Sequence, residues 1–462
     1  MTKLVVFLTL LISVSVFSED KLTIGSYGRI GIASNLDGGA GTATQIVSHS
    51  TRIEKAPYQE LYLKYDFTDP ESAKNGIKTK LNFTMAFDEN MFHYTGKFEM
   101  NTAVRDFYID VDNVFMKELS LWVGSRMYRG DDIYLLDFWP LQSLNTIGAG
   151  LKYSFNSTDI KFHVGANRLD QGDVEEPYQL LYYTIPLRDQ IGSEDVIILD
   201  RQKYITSLEL THLLKPLKLK LKLYGEFHTI SEADYSYESK EYKLPSDKGY
   251  LLGFQATHFG FLNNQNNYTH IFVKYSAGMA AYGELGVPFD LNNSKTTSGA
   301  KEFLTGLSLN LEKGDFGLLA GAYFRTFRDA DTSDLDSDDT NEATVSLRFL
   351  YYIGNYFHLS TELNYQNLQI KNIDSTTMNQ ESANMFKFIF MPTISPNGRG
   401  NLKQPKIRLV YSLSMYNGSA EKVLQYKKFD NYKNPNLSKT PSSDWGNQAH
   451  YLGLSAEWWF NN

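Results

Sequence analysis

Residues 217–223 read Leu-Lys-Leu-Lys-Leu-Lys-Leu. Side chains of an extended chain alternate with period two, so Leu217, Leu219, Leu221 and Leu223 share one face and Lys218, Lys220 and Lys222 the other. The same alternation recurs along the chain. Gln59, Leu61, Leu63, Tyr65 and Phe67 oppose Tyr58, Glu60, Tyr62, Lys64 and Asp66. Ile77, Leu81, Phe83, Met85 and Phe87 oppose Lys78, Lys80, Asn82 and Thr84. About 18 such segments can be read. They are 22–33, 57–67, 77–87, 103–112, 119–128, 147–155, 159–166, 204–212, 217–227, 249–257, 269–277, 301–311, 315–325, 343–352, 356–365, 385–393, 405–415 and 449–460. No long stretch shows a helical period.

The connections alternate in length. The odd ones (34–56, 88–102, 129–146, 167–203, 228–248, 278–300, 326–342, 366–384, 416–448) are long, whereas even ones such as 113–118, 156–158, 213–216, 312–314 and 353–355 are short. Short turns on one rim and long loops on the other predict an antiparallel transmembrane barrel with both termini on the short-turn side. A soluble sandwich or propeller has no reason to sort loops by parity. In a barrel only one residue in two faces lipid, which fits an apolar share of 42%. Length suggests several domains for 462 residues, but barrels escape that expectation. We therefore read residues 19–462 as a single barrel.

Composition narrows the rest. Zero cysteine excludes a disulfide framework, thiolate metal sites and a cysteine nucleophile. A net charge of −8 without a basic block argues against nucleic acid as a partner. The 31 tyrosines suit interfacial belts, where a ring meets lipid and a hydroxyl meets water. Lys3, the apolar run Leu4 to Phe17, small Val16 and Ser18, and the following Glu19-Asp20 spell a secretory signal over residues 1–18. Fourteen residues rise only about 21 Å as a helix, short of the roughly 30 Å needed to span a bilayer.

Parity also assigns the lumen. Leu22, Ile24, Ile30 and Ile32 face outward in the first strand, so Tyr27 and Arg29 face inward; Tyr58, Glu60 and Trp459 do likewise in theirs. Closure sets the last strand beside the first and the first beside the second. Trp459, Tyr27 and Tyr58 then form a contiguous aromatic strip. Aromatic faces beside Arg29, Arg52 and Glu60 suit a sugar path, since rings stack on pyranose faces while charged groups bind hydroxyls. Space-filling near a subunit contact is the competing reading.

Several motifs resemble the maltoporin family of sugar-selective outer-membrane porins. The most specific is Val123-Gly-Ser-Arg-Met-Tyr-Arg-Gly-Asp-Asp-Ile-Tyr-Leu-Leu-Asp-Phe-Trp139, followed by Gly148-Ala-Gly150. Tyr27-Gly-Arg-Ile-Gly31, Pro57-Tyr-Gln-Glu-Leu61, Pro405-Lys-Ile-Arg408 and Glu457-Trp-Trp-Phe460 match in order. The resemblance implies a homotrimer of 18-stranded all-β antiparallel barrels with short periplasmic turns and long outer loops. The third long loop, 129–146, would fold inward and constrict the lumen. It further implies an aromatic slide at Tyr27, Tyr58, Trp459 and, mid-chain, Phe272, whose parity with Lys274 points it inward. The implied flanking ionic track comprises Arg29, Arg52, Glu60, Arg105, Asp132 and Asp137, with Trp139 at the constriction.

The chain departs from the pattern in places. Gly130 stands where the family has an arginine, and Arg129 is the nearest substitute. Leu402 stands at a slide tryptophan position, and Phe98 or Tyr94 are the nearest aromatics to another. Arg105 shares parity with outward Phe107, Ile109 and Val111, so it either precedes the regular strand or sits at a bulge. The implied function is passive saccharide diffusion with outer-membrane lipid as surroundings. The alternatives are a general diffusion porin, or a barrel enzyme or adhesin acting through its outer loops.

No cofactor is expected. The carboxylates between Asp329 and Glu342 fail the calcium-loop pattern, because Asp339 and Val345 stand where glycine and glutamate are needed. They read as a solvated outer loop. The nine histidines never cluster at metal spacing. No Gly-x-Ser-x-Gly nucleophile motif occurs.

Overall fold

Wherever the sequence alternates, strands form and pair with their chain neighbours. The computed structural model describes residues 21–88, 92–93, 96, 100–169, 178–186, 193–237, 239–286, 288, 291–331, 339–371, 380–431 and 447–461. The expected signal (1–18), Tyr94, Phe98 and residues 332–338 of the acidic run lie outside them.

The wall opens with β1 (Leu22–Ser34), β2 (Tyr58–Asp66), β3 (Lys78–Asp88), β4 (Asn101–Asp112), β5 (Leu119–Arg129), β6 (Ser143–Phe155) and β7 (Thr158–Asn167). A hairpin, β8 (Leu180–Pro186) and β9 (Ser193–Asp200), rises from the fourth long loop. The wall resumes with β10 (Lys203–Leu214) and β11 (Leu219–Ile230). A second hairpin follows, β12 (Ala233–Tyr237) and β13 (Lys240–Leu244). Then come β14 (Asp247–Phe259), β15 (Tyr268–Gly278), β16 (Lys301–Lys313), β17 (Phe316–Arg328) and β18 (Thr340–Ile353). The last four are β19 (Phe357–Lys371), β20 (Gln380–Ile394), β21 (Lys406–Tyr416) and β22 (Gln448–Asn461). Without the two hairpins these make one 18-stranded antiparallel sheet, closed by β1 pairing with β22. Closure leaves no edge, so every strand has a hydrogen-bonded neighbour on both sides, as hydrocarbon demands. No helix among the described residues is long and apolar enough to cross a membrane.

The expected segments all appear in the wall, with three differences. The Leu-Lys run begins two residues late, because Lys215–Leu217 turn as a 3₁₀ helix and Lys218 is left-handed at φ 48°. Pro216 fixes its own φ and lacks an N–H, which favours the turn over the ladder. β17, β18, β19 and β20 run 13, 14, 15 and 15 residues, beyond the roughly nine to eleven that a span needs. The seventh and eighth loops shrink accordingly. The two loop hairpins were not visible as alternation. They pack Leu181, Leu199, Tyr235 and Leu244 into a small core, and the paired Tyr235 and Tyr242 rings stack 4.7 Å apart.

The outer face carries exposed Ile32, Phe107, Leu252 and Phe349. Aromatic pairs mark both rims, Tyr250 with Tyr275 on the long-loop side and Phe316 with Tyr351 on the other. Between β1 and β22 the indole of Trp458 covers Gly28, where any Cβ would fall 2.1 Å from the ring.

Two long loops fold into the lumen. The third, between β5 and β6, buries Ile133, Leu136 and Leu141 against Tyr224, Leu251, Phe272, Leu304 and Tyr323 of the wall. Glycines make room for it. A Cβ at Gly306 or Gly321 would lie 2.9 or 2.8 Å from Ile133. On its polar side Asp131 accepts from Lys220 (3.0 Å), Lys222 (3.4 Å) and Gln255 (2.6 Å). The lysines that read as the wet face of β11 thus hold the loop. The first loop, between β1 and β2, was not expected to enter, yet it does. Its Ile46 and Val47 pack with Leu368, Ala383 and Met385. Ser48 N–H donates to Glu342 at 2.8 Å, Ile46 N–H donates to Gln366 at 2.9 Å, and Lys387 pairs with Glu54.

Candidate functional site

The registers of β22, β1 and β2 decide what faces the lumen. Tyr27 lies opposite Trp459 on one side and Glu60 on the other, and Arg29 lies opposite Glu457 and Tyr58. Directly paired residues share a sheet face, so these six point inward together. The Tyr27 and Tyr58 rings are 6.1 Å apart at 50°. Trp459 is 66% exposed, into the lumen. With Arg52, Arg105, Arg129, Asp132, Asp137 and Trp139 they line one cavity of about 840 Å³.

Charged groups are tied to the aromatics. Arg29 donates to Asp137 at 2.9 Å and lies 5.4 Å over the Tyr58 ring. Arg52, from the inward first loop, donates to Glu457 at 2.6 Å and to the Tyr27 hydroxyl at 2.7 Å. Its guanidinium lies 4.4 Å over Tyr134. Arg408 also donates to Glu457, at 2.8 Å. Tyr58 and Tyr62 hydroxyls donate to Glu60, and Arg105 donates to both Glu60 and the Tyr58 hydroxyl. Arg129 lies 3.8 Å over the Trp139 ring.

The position of Arg105 resolves the parity conflict in its strand. Thr84 pairs with Asp106 and Met85 with Val104, so Arg105 has no partner on β3. This is a β-bulge, which lets one residue face inward out of phase.

Asp137 is the hub of the third loop, left-handed at φ 52°, a conformation aspartate tolerates better than most residues. Lys55 donates to it at 3.1 Å, and Arg52 lies at 4.0 Å. Burial raises its carboxyl pKa, but Arg52, Lys55 and Arg29 outweigh that and hold it well below the usual range. Asp132 behaves oppositely. Burial pushes it up to about 6, with Arg52 opposing and Asp137 reinforcing the rise. His49 lies flat on Phe138, and burial together with Lys55 and Arg325 pushes it down to about 3.

Phe272 faces inward, as its parity with Lys274 requires, but it is fully buried against Ile133 and Leu136 beneath the third loop. It does not line the cavity. Tyr268, four residues earlier on the same face, does, as do Tyr62, Leu402, Gln404 and Glu457. Tyr62 and Glu457 share parity with Glu60 and Trp459, so alternation already carried them. Tyr268 precedes the expected start of its strand and escaped for that reason. Among the described residues no His, Asp and Glu group could hold a metal ion.

No curated protein matches the chain in sequence. Among solved structures it is similar to OccAB1 of Acinetobacter baumannii at 9% identity, covering 96% of this chain and 97% of that one, TM-score 0.46. OprD of Pseudomonas aeruginosa aligns at 10% identity over 96% and 95%, TM-score 0.44. OccD3 (OpdP) of the same species aligns at 11% over 96% and 91%, TM-score 0.43. The family model described as LamB porin matches residues 22–460. The chain therefore belongs to the LamB porin family, and it is a diffusion channel of the Gram-negative outer membrane rather than an enzyme.

Proposed function

We infer that this porin facilitates the passive diffusion of saccharides. The observation that carries the reading is the inward strip of Trp459, Tyr27 and Tyr58 on three neighbouring strands, flanked within one cavity by Arg29, Arg52, Glu60 and Arg105. A pyranose offers an apolar face to a ring and a rim of hydroxyls to charged groups. The sugar slides along the strip and exchanges hydrogen bonds with Arg29, Arg52, Glu60, Arg105, Asp132 and Asp137 one at a time. Each site must hold it well enough to admit it and loosely enough to release it. Trp139 narrows the path. Phe272 supports the third loop from below and takes no part in stacking.

Reconstitution in planar bilayers tests this. Maltooligosaccharides or sucrose should block the ion current saturably, and Tyr27→Ala, Tyr58→Ala or Trp459→Ala should weaken the block. Conductance indifferent to every sugar favours a general diffusion pore instead. The same reading includes removal of residues 1–18 and assembly as a homotrimer, resting on the signal pattern and the family resemblance. Intact mass of the mature chain and the native mass of the detergent complex test each.

A further inference from the structure

The charges around the cavity do not balance locally. Arg29, Arg52, Lys55, Arg105, Arg129 and Arg408 line or brace it. Five of the six are paired. Arg29, Arg52 and Lys55 share Asp137, Arg52 and Arg408 share Glu457, and Arg105 takes Glu60. Arg129 forms no ion pair among the described residues. Its guanidinium carbon lies 3.8 Å over the Trp139 ring. Asp88 and Asp132 also line the cavity. Asp132 is pushed up to about 6, mainly by burial, and keeps most of its charge at neutrality. A chain with a net charge of −8 thus sets six cations against five carboxylates around this cavity.

We propose that Arg129, held face-on by Trp139, is a subsite for the carboxylate of an acidic saccharide, a uronate-containing oligosaccharide. Trp139 supports the guanidinium from its ring face, and both side chains line the cavity. That planar fork matches a carboxylate with two parallel hydrogen bonds. One unneutralised cation balances one carboxylate, whereas a phosphate would bring close to two charges. The pyranose carrying the carboxylate stacks on Tyr58 or Tyr27, within the same cavity. A cleft with surplus positive charge also concentrates anions at its mouth. This assignment rests on the saccharide reading of the cavity and narrows its substrate class.

The test compares current block by α-1,4-linked galacturonosyl-galactose, which carries one carboxylate, and by its neutral counterpart, galabiose, in the reconstituted wild-type channel. The acid should block at roughly tenfold lower concentration, as expected where one hydrogen bond becomes charge-assisted. Arg129→Gln should abolish that preference, and Arg129→Lys, which keeps the charge without the fork, should restore part of it. Folding of both variants is verified by their mobility on unheated gels. Equal block by acid and neutral sugar would overturn the subsite and leave the saccharide channel standing. Absence of block by either sugar would overturn both. Unchanged preference for the acid in Arg129→Gln would overturn the assignment to Arg129.

Discussion

The imidazole of His49 lies flat on the ring of Phe138, with centroids 3.8 Å apart and planes 18° apart. His49 belongs to the first loop and Phe138 to the third, so the two inward loops brace each other above the cavity. Tyr323 of the wall completes the contact, edge-on to the His49 ring at 5.9 Å, with its hydroxyl accepting from the His49 backbone N–H. A stacked ring pair contributes about 0.5–1.5 kcal/mol beyond its burial. His49→Ala should therefore loosen the third loop without unfolding the wall. Single-channel recordings should show more open-state noise at unchanged thermal stability; recordings as quiet as wild type would show that the stack does not restrain the loop.

Gly306 and Gly321 are the seats for Ile133. A side chain at either would meet it below 3.0 Å. Gly321→Val should force the loop off the wall and expose Phe272, Leu304 and Tyr323, at about 1–3 kcal/mol for overpacking. Conductance should shift and limited proteolysis should cut within 130–142. An unaltered protease pattern and conductance would mean that the loop rests elsewhere.

The pair of Lys387 and Glu54 anchors the first loop beneath the β20 wall, with both side chains almost wholly buried. Removing one partner leaves a buried charge alone, at about 3–5 kcal/mol. Lys387→Met should lower the urea midpoint, and the double variant Lys387→Met with Glu54→Gln should recover much of the loss. Additive losses in the double variant would contradict the pairing.

Asp132 supplies a pH dependence. Its carboxyl pKa is raised from 3.8 to about 6, so it protonates in the folded protein before it would in an unfolded chain. Below about pH 6 the cavity loses a negative charge, and anion selectivity should rise. By linkage the same shift makes the fold relatively more stable below about pH 4 and adds a destabilising term as pH climbs through the window from 4 to 6. Reversal potentials measured in a KCl gradient from pH 4.5 to 8 should show the transition, and Asp132→Asn should remove it. A transition that persists in Asp132→Asn belongs to another group.

Arg105 reaches Glu60 only because the bulge turns it inward. Deleting Val104, which removes the extra residue, should restore regular pairing and set Arg105 opposite the outward-facing Met85, turning it away from the lumen. Sugar block should then weaken more than with Arg105→Lys, in which the bulge remains. Equal block in the two variants would mean that the bulge has no part in the path.

Alternation is a local property, and it determined the wall. It gave the strands, their inward faces and, through the parity of loop lengths, the closure that sets Trp459, Tyr27 and Tyr58 side by side. Those inferences need only period two and one rule of pairing. Other features depended on atoms far apart in the chain. The entry of the first loop depends on Lys387, Gln366 and Glu342, about three hundred residues away. The burial of Phe272 depends on where Ile133 comes to rest. The inward turn of Arg105 depends on a register jump against β3, and the isolation of Arg129 emerges only when the other five cations around the cavity have found their carboxylates. Alternation along a strand says which face a side chain takes. What meets it there is settled by long-range packing and charge pairing, which no local pattern encodes.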